Sequence, residues 1–170
     1  MSRIFFALWP DNETRSSLCN ITQQFKDEKF RLVKKSNIHI TLEFLGEVQE
    51  DDLQQLVEKS NCIQAEPFEI ELTKIGWWRK PGVLWIGMHH IPKQLIHLVE
   101  SIKQIVVQQD LEIDKRSYEP HVTIARKVKQ VQLPKQSFDI RWQVNSFSLI
   151  VSKPTNSGIE YHVIHEWPLT

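Results

Sequence analysis

Apolar spacing along the chain divides it into short strands and three helices. Residues 3–9 form an apolar run, Ile4-Phe5-Phe6-Ala7-Leu8-Trp9 after Arg3, that ends at Pro10 and predicts a buried strand. Asp11 is a good helix N-cap, and Leu18, Ile21, Thr22 and Phe25 recur at three-to-four spacing, so a helix is expected to about Lys26. Strands are expected over 30–33 and 38–44. Glu50, Asp51 and Asp52 suit the positive end of a second helix, with Leu53, Leu56 and Val57 facing inward. Residues 67–76 alternate through Phe68, Ile70 and Leu72, and the turn Arg79-Lys80-Pro81-Gly82 leads to a strand at 83–89. Pro92 suits the first turn of a third helix, whose stripe of Leu95, Leu98, Val99, Ile102, Ile105 and Val106 reads as core. Strands at 121–126, 139–151 and 159–165 complete the chain, separated by Pro134 and by a turn at 154–158.

Strands and helices that do not alternate strictly predict an α+β fold with mainly antiparallel sheets. A chain of 170 residues fits one domain, and no linker or low-complexity segment divides it. The expectation is a single domain over 1–170.

Within this frame one pattern occurs twice. Asn37-Ile38-His39-Ile40-Thr41-Leu42-Glu43-Phe44-Leu45-Gly46 contains His, aliphatic, Thr, aliphatic, and so does Pro120-His121-Val122-Thr123-Ile124-Ala125-Arg126, 82 positions later. Seven His and seven Thr in the chain give roughly 0.3 such matches by chance. Side chains at i and i+2 of a strand share a face. Each copy therefore reads as an apolar back (Ile38, Ile40 and Leu42; Val122 and Ile124) with a proton-handling front of His and Thr. The expected architecture is two similar lobes, each with one His-x-Thr strand, around a central cleft.

These two motifs, the opening Arg3 to Pro10 and, more loosely, 147–149 and 161–164, resemble the two-histidine (2H) phosphoesterase superfamily. Within it the likeness is to bacterial RNA 2′,3′-cyclic phosphodiesterases, also described as 2′-5′ RNA ligases. The resemblance covers nearly the whole chain and implies the same bilobal arrangement.

Two histidines of ordinary pKa, about 6.5, can share protonation near neutrality, one charged and one neutral. That division suits in-line opening of a cyclic phosphate, with a base activating water and an acid protonating the departing ribose oxygen. Thr41 and Thr123 can donate hydroxyl hydrogen bonds to the non-bridging oxygens. No metal or other cofactor is required. Which histidine is acid and which is base is open from the residues alone. The resemblance implies His39 as proton donor to the 3′-oxygen and His121 as acceptor, giving a 2′-phosphate end. The reverse reaction with an RNA 5′-hydroxyl would be a minor 2′-5′ ligation. Arg126 falls on the core face by strict alternation, a costly place for a guanidinium. The expectation is that the strand bends there and releases Arg126 to the cleft rim, where the resemblance associates an arginine with ligand contact.

Other features change the picture less. Phe44 is in register with the apolar back and is expected in the core. Glu43 shares the His39–Thr41 face, where it would orient a histidine or be solvated. Trp77-Trp78-Arg79-Lys80 couples aromatics with positive charge, a combination that serves either RNA stacking or turn packing. The formal net charge is +0, from 21 basic and 21 acidic side chains, so bulk charge supplies no attraction to RNA and recognition must be local. Cys19 and Cys62 form neither a zinc nor a disulfide framework. No apolar run reaches membrane-spanning length, and Phe5-Phe6-Ala7-Leu8 is too short for a signal peptide. The expectation is a cytoplasmic, monomeric enzyme acting on RNA 3′ ends or small cyclic nucleotides. Its rivals are a metal-dependent phosphodiesterase, which lacks visible partner ligands, a non-catalytic RNA-end or nucleotide-binding module, and a phosphodiesterase for another small nucleotide.

Overall fold

The computed structural model describes residues 2–26, 29–134, 137–156 and 158–170. In chain order it contains β1 (Ser2–Leu8), α1 (Asn12–Gln23), β2 (Arg31–Leu32), a 3-10 turn (Lys35–Asn37), β3 (Ile40–Val48), α2 (Glu50–Ser60) and β4 (Phe68–Leu72). There follow β5 (Lys74–Trp78), β6 (Val83–Gly87), α3 (Lys93–Val107), β7 (His121–Arg126), β8 (Ile140–Val144), β9 (Ser146–Thr155) and β10 (Gly158–Pro168). The fold is α+β with antiparallel sheets, as the sequence pattern predicts.

Local chemistry sets the boundaries. The Thr14 N–H donates to the Asp11 side chain at 2.7 Å and starts α1. The alternating stretch 67–76 is broken at Thr73, which sends β4 and β5 into different sheets. Asn145 likewise separates β8 from β9. β9 runs on through Pro154 because its pairing with β1 ends at Ser152, leaving no ladder bond on that side for a proline to break. The turn expected at 154–158 is closed by the Thr155 hydroxyl donating to the Gly158 carbonyl at 2.9 Å, and residue 157 lies outside the described residues.

The large sheet has the order β10-β9-β1-β3-β7-β6-β5, with β2 also on β7, and β4 pairs with β8 in a second sheet. One apolar core joins Ile4, Phe6 and Leu8 of β1, Leu42 of β3, Ile86 of β6 and Ile124 of β7 to the stripes of the helices and to Trp142 of β8. The opposite face of the large sheet carries a small cluster of Phe5, Ala7 and Ile150, packed by Trp9 and Tyr161. β3 and β7 pair at Ile40–Val122, so the two motif strands are neighbours where the two halves of the sheet meet. No described helix is long and apolar enough to cross a membrane.

Each motif strand carries a β-bulge three residues after its histidine. Against β1, Glu43 pairs with Phe6 and Thr41 with Ala7, leaving Leu42 as the extra residue. Against β6, Ala125 pairs with Leu84 and Thr123 with Trp85, leaving Ile124 extra. A bulge inverts the alternation beyond it.

Candidate active site

His39 lies just ahead of β3, and its Nδ1 is 2.7 Å from the Asn37 carbonyl. His121 opens β7, and its Nδ1 is 2.7 Å from the Glu119 carbonyl. A carbonyl only accepts, so each Nδ1 carries the hydrogen and donates it to the backbone two residues upstream. The tautomer of both rings is fixed in the same way, and Nε2 is the nitrogen left for chemistry. In His39 that nitrogen lies 3.2 Å from the Thr41 hydroxyl, which donates to the neutral ring.

The two rings differ in surroundings. His39 is enclosed by Phe5, Trp9 and Tyr161, with ring centroids at 5.0, 5.9 and 5.1 Å. His121 meets Trp78 edge-to-face, with ring centroids at 4.6 Å. Burial pushes the His39 pKa down to about 4; the Asn37 carbonyl opposes this, and the charges of Arg126, His121 and Arg15 add to it. Burial also lowers His121, against the pull of the Glu119 carbonyl and with a further push from Arg126. Burial thus disfavours the charged form of both imidazoles in the ligand-free protein, which works against the shared proton expected of unperturbed histidines. The reason is desolvation.

This has a measurable consequence. A histidine whose folded-state pKa lies below its unfolded value of about 6.5 stabilises the fold above that value and loses the contribution as pH falls through its folded pKa. His39 is therefore expected to cost the protein about 2–4 kcal/mol of stability between about pH 6.5 and 4. Urea melts across that range should show the slope in the wild type and a shallower one in His39→Gln.

The bulges correct two expectations and explain a third. Glu43 neither faces the histidines nor is solvated. It is turned to the core side, 2% exposed, accepts the Asp114 N–H at 2.7 Å and lies 3.5 Å from Lys103 Nζ. Burial pushes its carboxyl pKa up, against those two partners. Phe44 is not in the core. It pairs with Phe5 on the cleft face and is 43% exposed, with the Arg3 guanidinium 5.6 Å from its ring centroid. Arg126 is exposed opposite Val83, on the His121–Thr123 side, and its charge reaches both imidazoles.

Phe44, Thr41, Trp78, Lys80, Tyr118 and His121 line a cleft of about 560 Å³, large enough for a whole small ligand. The Tyr118 hydroxyl donates to the Thr41 carbonyl at 3.1 Å. With Glu43 gripping Asp114, this lays the segment before His121 across β3 and so ties the second motif to the first. Of Trp77 and Trp78, the first packs on the core and donates to the Val128 carbonyl at 3.2 Å, while the second reaches the cleft. Among the described residues no group of three or more His, Cys, Asp or Glu side chains is placed to hold a metal ion.

Sequence reasoning passed over Phe5, Trp9, Tyr161 and Arg15 as site residues. Two signals were present. The run 4–9 is apolar on both faces, which implies a second packed face beside the core, and Arg15 falls on the inward stripe of α1 three residues before Leu18.

A family model described as LigT-like phosphoesterase matches residues 8–85. A curated relative from Methanocaldococcus jannaschii, named RNA 2′,3′-cyclic phosphodiesterase, is 32% identical over 97% of this chain and 99% of its own. An Escherichia coli relative of the same name is 29% identical over 99% and 97%. The crystal structure of E. coli LigT complexed with 3′-AMP matches with a TM-score of 0.93 at 29% identity, covering 99% of this chain and 98% of that one. From its paired motif strands to the extent of these matches, the chain belongs to the LigT-like phosphoesterase family.

Proposed function

We propose that the protein hydrolyses RNA 2′,3′-cyclic phosphate ends to 2′-phosphates by histidine acid–base catalysis without a metal. The observation that carries this reading is the pair of imidazoles on adjoining strands, each with Nδ1 held by the backbone and Nε2 left for the substrate. The cyclic phosphate sits between them. Its negative charge favours the imidazolium form that burial disfavours in the free protein. Water attacks phosphorus and gives its proton to His121 Nε2, the bond to O3′ breaks, and His39 Nε2–H protonates that oxygen. Thr41, Thr123 and Arg126 hold the non-bridging oxygens as charge builds on them. Phe44, turned to the cleft by its bulge, offers a face for the terminal base. Each half of the sheet supplies one histidine, so the chain works as a single unit. With an RNA 5′-hydroxyl in place of water, the same steps make a 2′-5′ link as a minor activity.

The test is an oligonucleotide ending in a 2′,3′-cyclic phosphate, incubated in excess EDTA. Conversion to a 2′-phosphate is expected. No turnover, turnover abolished by the chelator, or a 3′-phosphate product would each count against the reading.

The deeper enclosure of His39 favours a second reading at one point: the proton entering the site settles first on His121, which would exchange the acid and base roles. A substrate with sulfur in place of the bridging O3′ separates the two, because a thiolate leaves without an acid. With His39 as acid, His39→Ala regains activity on the sulfur substrate and His121→Ala does not. The opposite pattern assigns the roles the other way.

A further inference from the structure

The cleft face of β5 and β6 carries a feature that the two-histidine chemistry does not use. Trp85 lies directly across β6–β7 from Thr123, and Gly87 lies across from His121. Trp85 also pairs with Gly76 of β5. A Cβ on Gly76 would clash with the six-membered ring of Trp85, and a Cβ on Gly87 would stand 3.0 Å from its Cζ3. Two glycines thus clear a bed on which the indole lies flat, a use of glycine that accounts for its presence inside strands. Lys74 Nζ is 5.4 Å from the Trp85 ring centroid, and Trp78 tilts against it at 5.2 Å. The neighbours on the other face, Ile75, Trp77, Leu84 and Ile86, pack in the core, whereas Trp78 and Trp85 do not. Trp85 Nε1 is shielded from solvent and has no acceptor among the described residues. Support of the His121 ring accounts for Trp78, but not for Trp85, Lys74 or the paired glycines.

We propose that this face is a stacking platform for the single-stranded RNA 5′ of the cyclic phosphate, with bases on Trp85 and Trp78 and backbone charge met by Lys74 and Lys80. The inference rests on the RNA reading of the two-histidine site and extends it from the terminal nucleotide to the strand. Continuity with that site places the platform, since Trp85 stands opposite Thr123 in the strand pairing and the Trp78 ring contacts His121. Aromatic faces flanked by lysines bind single strands with little sequence preference, which suits a chain with no bulk charge to attract RNA.

The experiment compares a mononucleoside 2′,3′-cyclic phosphate with a tetranucleotide ending in the same nucleoside cyclic phosphate. The wild type should show at least a tenfold higher kcat/KM on the tetranucleotide. Gly76→Ala, which lifts the indole off the sheet, should cut that ratio at least threefold. Lys74→Gln, a change at an exposed position that leaves the sheet packing alone, should lower the ratio and flatten its salt dependence. Saturable quenching of tryptophan fluorescence by the tetranucleotide, weaker in Gly76→Ala, reads binding without turnover. Equal kcat/KM on both substrates, or a ratio that neither variant changes, overturns the platform while leaving the phosphodiesterase reading in place. Quenching by the tetranucleotide with no turnover of either substrate supports the platform and removes the phosphodiesterase reading.

Discussion

His39→Ala and His121→Ala are each expected to lower kcat on a 2′,3′-cyclic phosphate by about 10²–10⁴-fold, the span that a positioned general acid or base supplies. The loss should fall mainly on kcat, because in the proposed mechanism Thr41, Thr123, Arg126 and the cleft walls still receive the substrate. Two groups that act on one step do not contribute independently, so the double variant should be scarcely slower than the worse single one. Thr41→Val and Thr123→Val remove only a hydroxyl donor and should cost less. Both alanine variants should keep the circular dichroism of the wild type. His39 packs on aromatic rings that can partly close the gap, and His121 stands at the end of a strand whose core side is carried by Val122 and Ile124. Near-wild-type turnover by either variant, in a folded protein, would remove the acid–base pair from the reaction.

What the sequence could and could not reveal about this site divides at the two bulges. Up to Thr41 and Thr123, period-two alternation places every motif side chain correctly: Ile40 and Val122 in the core, Thr41 and Thr123 on the other face. Beyond Leu42 and Ile124 the same rule fails, since one inserted residue turns the next ones to the opposite side, until in β3 a second extra residue, Leu45, turns the strand back. Glu43 and Phe44 therefore exchange the places that alternation assigns them. Arg126 could be placed towards the cleft only because a bare guanidinium in the core is implausible. Nothing local marks a bulge here, because Leu42 and Ile124 are ordinary strand residues. Both insertions fall at the same distance after the histidine, so the duplication extends past the four-residue motif into the backbone. The aromatic enclosure of His39 was beyond reach for another reason. Phe5, Trp9 and Tyr161 come from opposite ends of the chain and meet only because β9 joins β10 to β1. The helices were the most legible elements, since the stripe on α3 is complete within one segment.

Arg15→Leu is expected to be among the most damaging substitutions outside the histidines. The Arg15 side chain is 8% exposed, and its guanidinium donates to the carbonyls of Pro10, Lys35 and Ile38 at 3.0, 2.8 and 3.3 Å. These three carbonyls lie on the two segments that deliver Trp9 and His39. The guanidinium also stands 5.1 Å from the Trp9 ring centroid, and Trp9 stacks on His39. Leucine fills much of the space but leaves the three acceptors without a donor, at about 1–3 kcal/mol for each buried group that water cannot reach. Some relaxation is certain at the Lys35 carbonyl, whose bond is only partly buried, so a total of about 2–4 kcal/mol is expected. That corresponds to a fall in Tm of roughly 5–15 °C for a chain of this size. Arg15→Lys should recover only part of it, because an ammonium cannot span the three carbonyls as the planar fork does. Catalysis should separate position from charge. The Ile38 carbonyl immediately precedes His39, so both variants loosen the ring and lower kcat. Arg15 also holds the proton off His39. Removing the positive charge should move the alkaline limb of kcat/KM to higher pH in Arg15→Leu, while Arg15→Lys keeps the limb near its wild-type position. If Arg15 served only to stabilise the fold, both variants would melt early but show the wild-type pH profile at temperatures where they are folded.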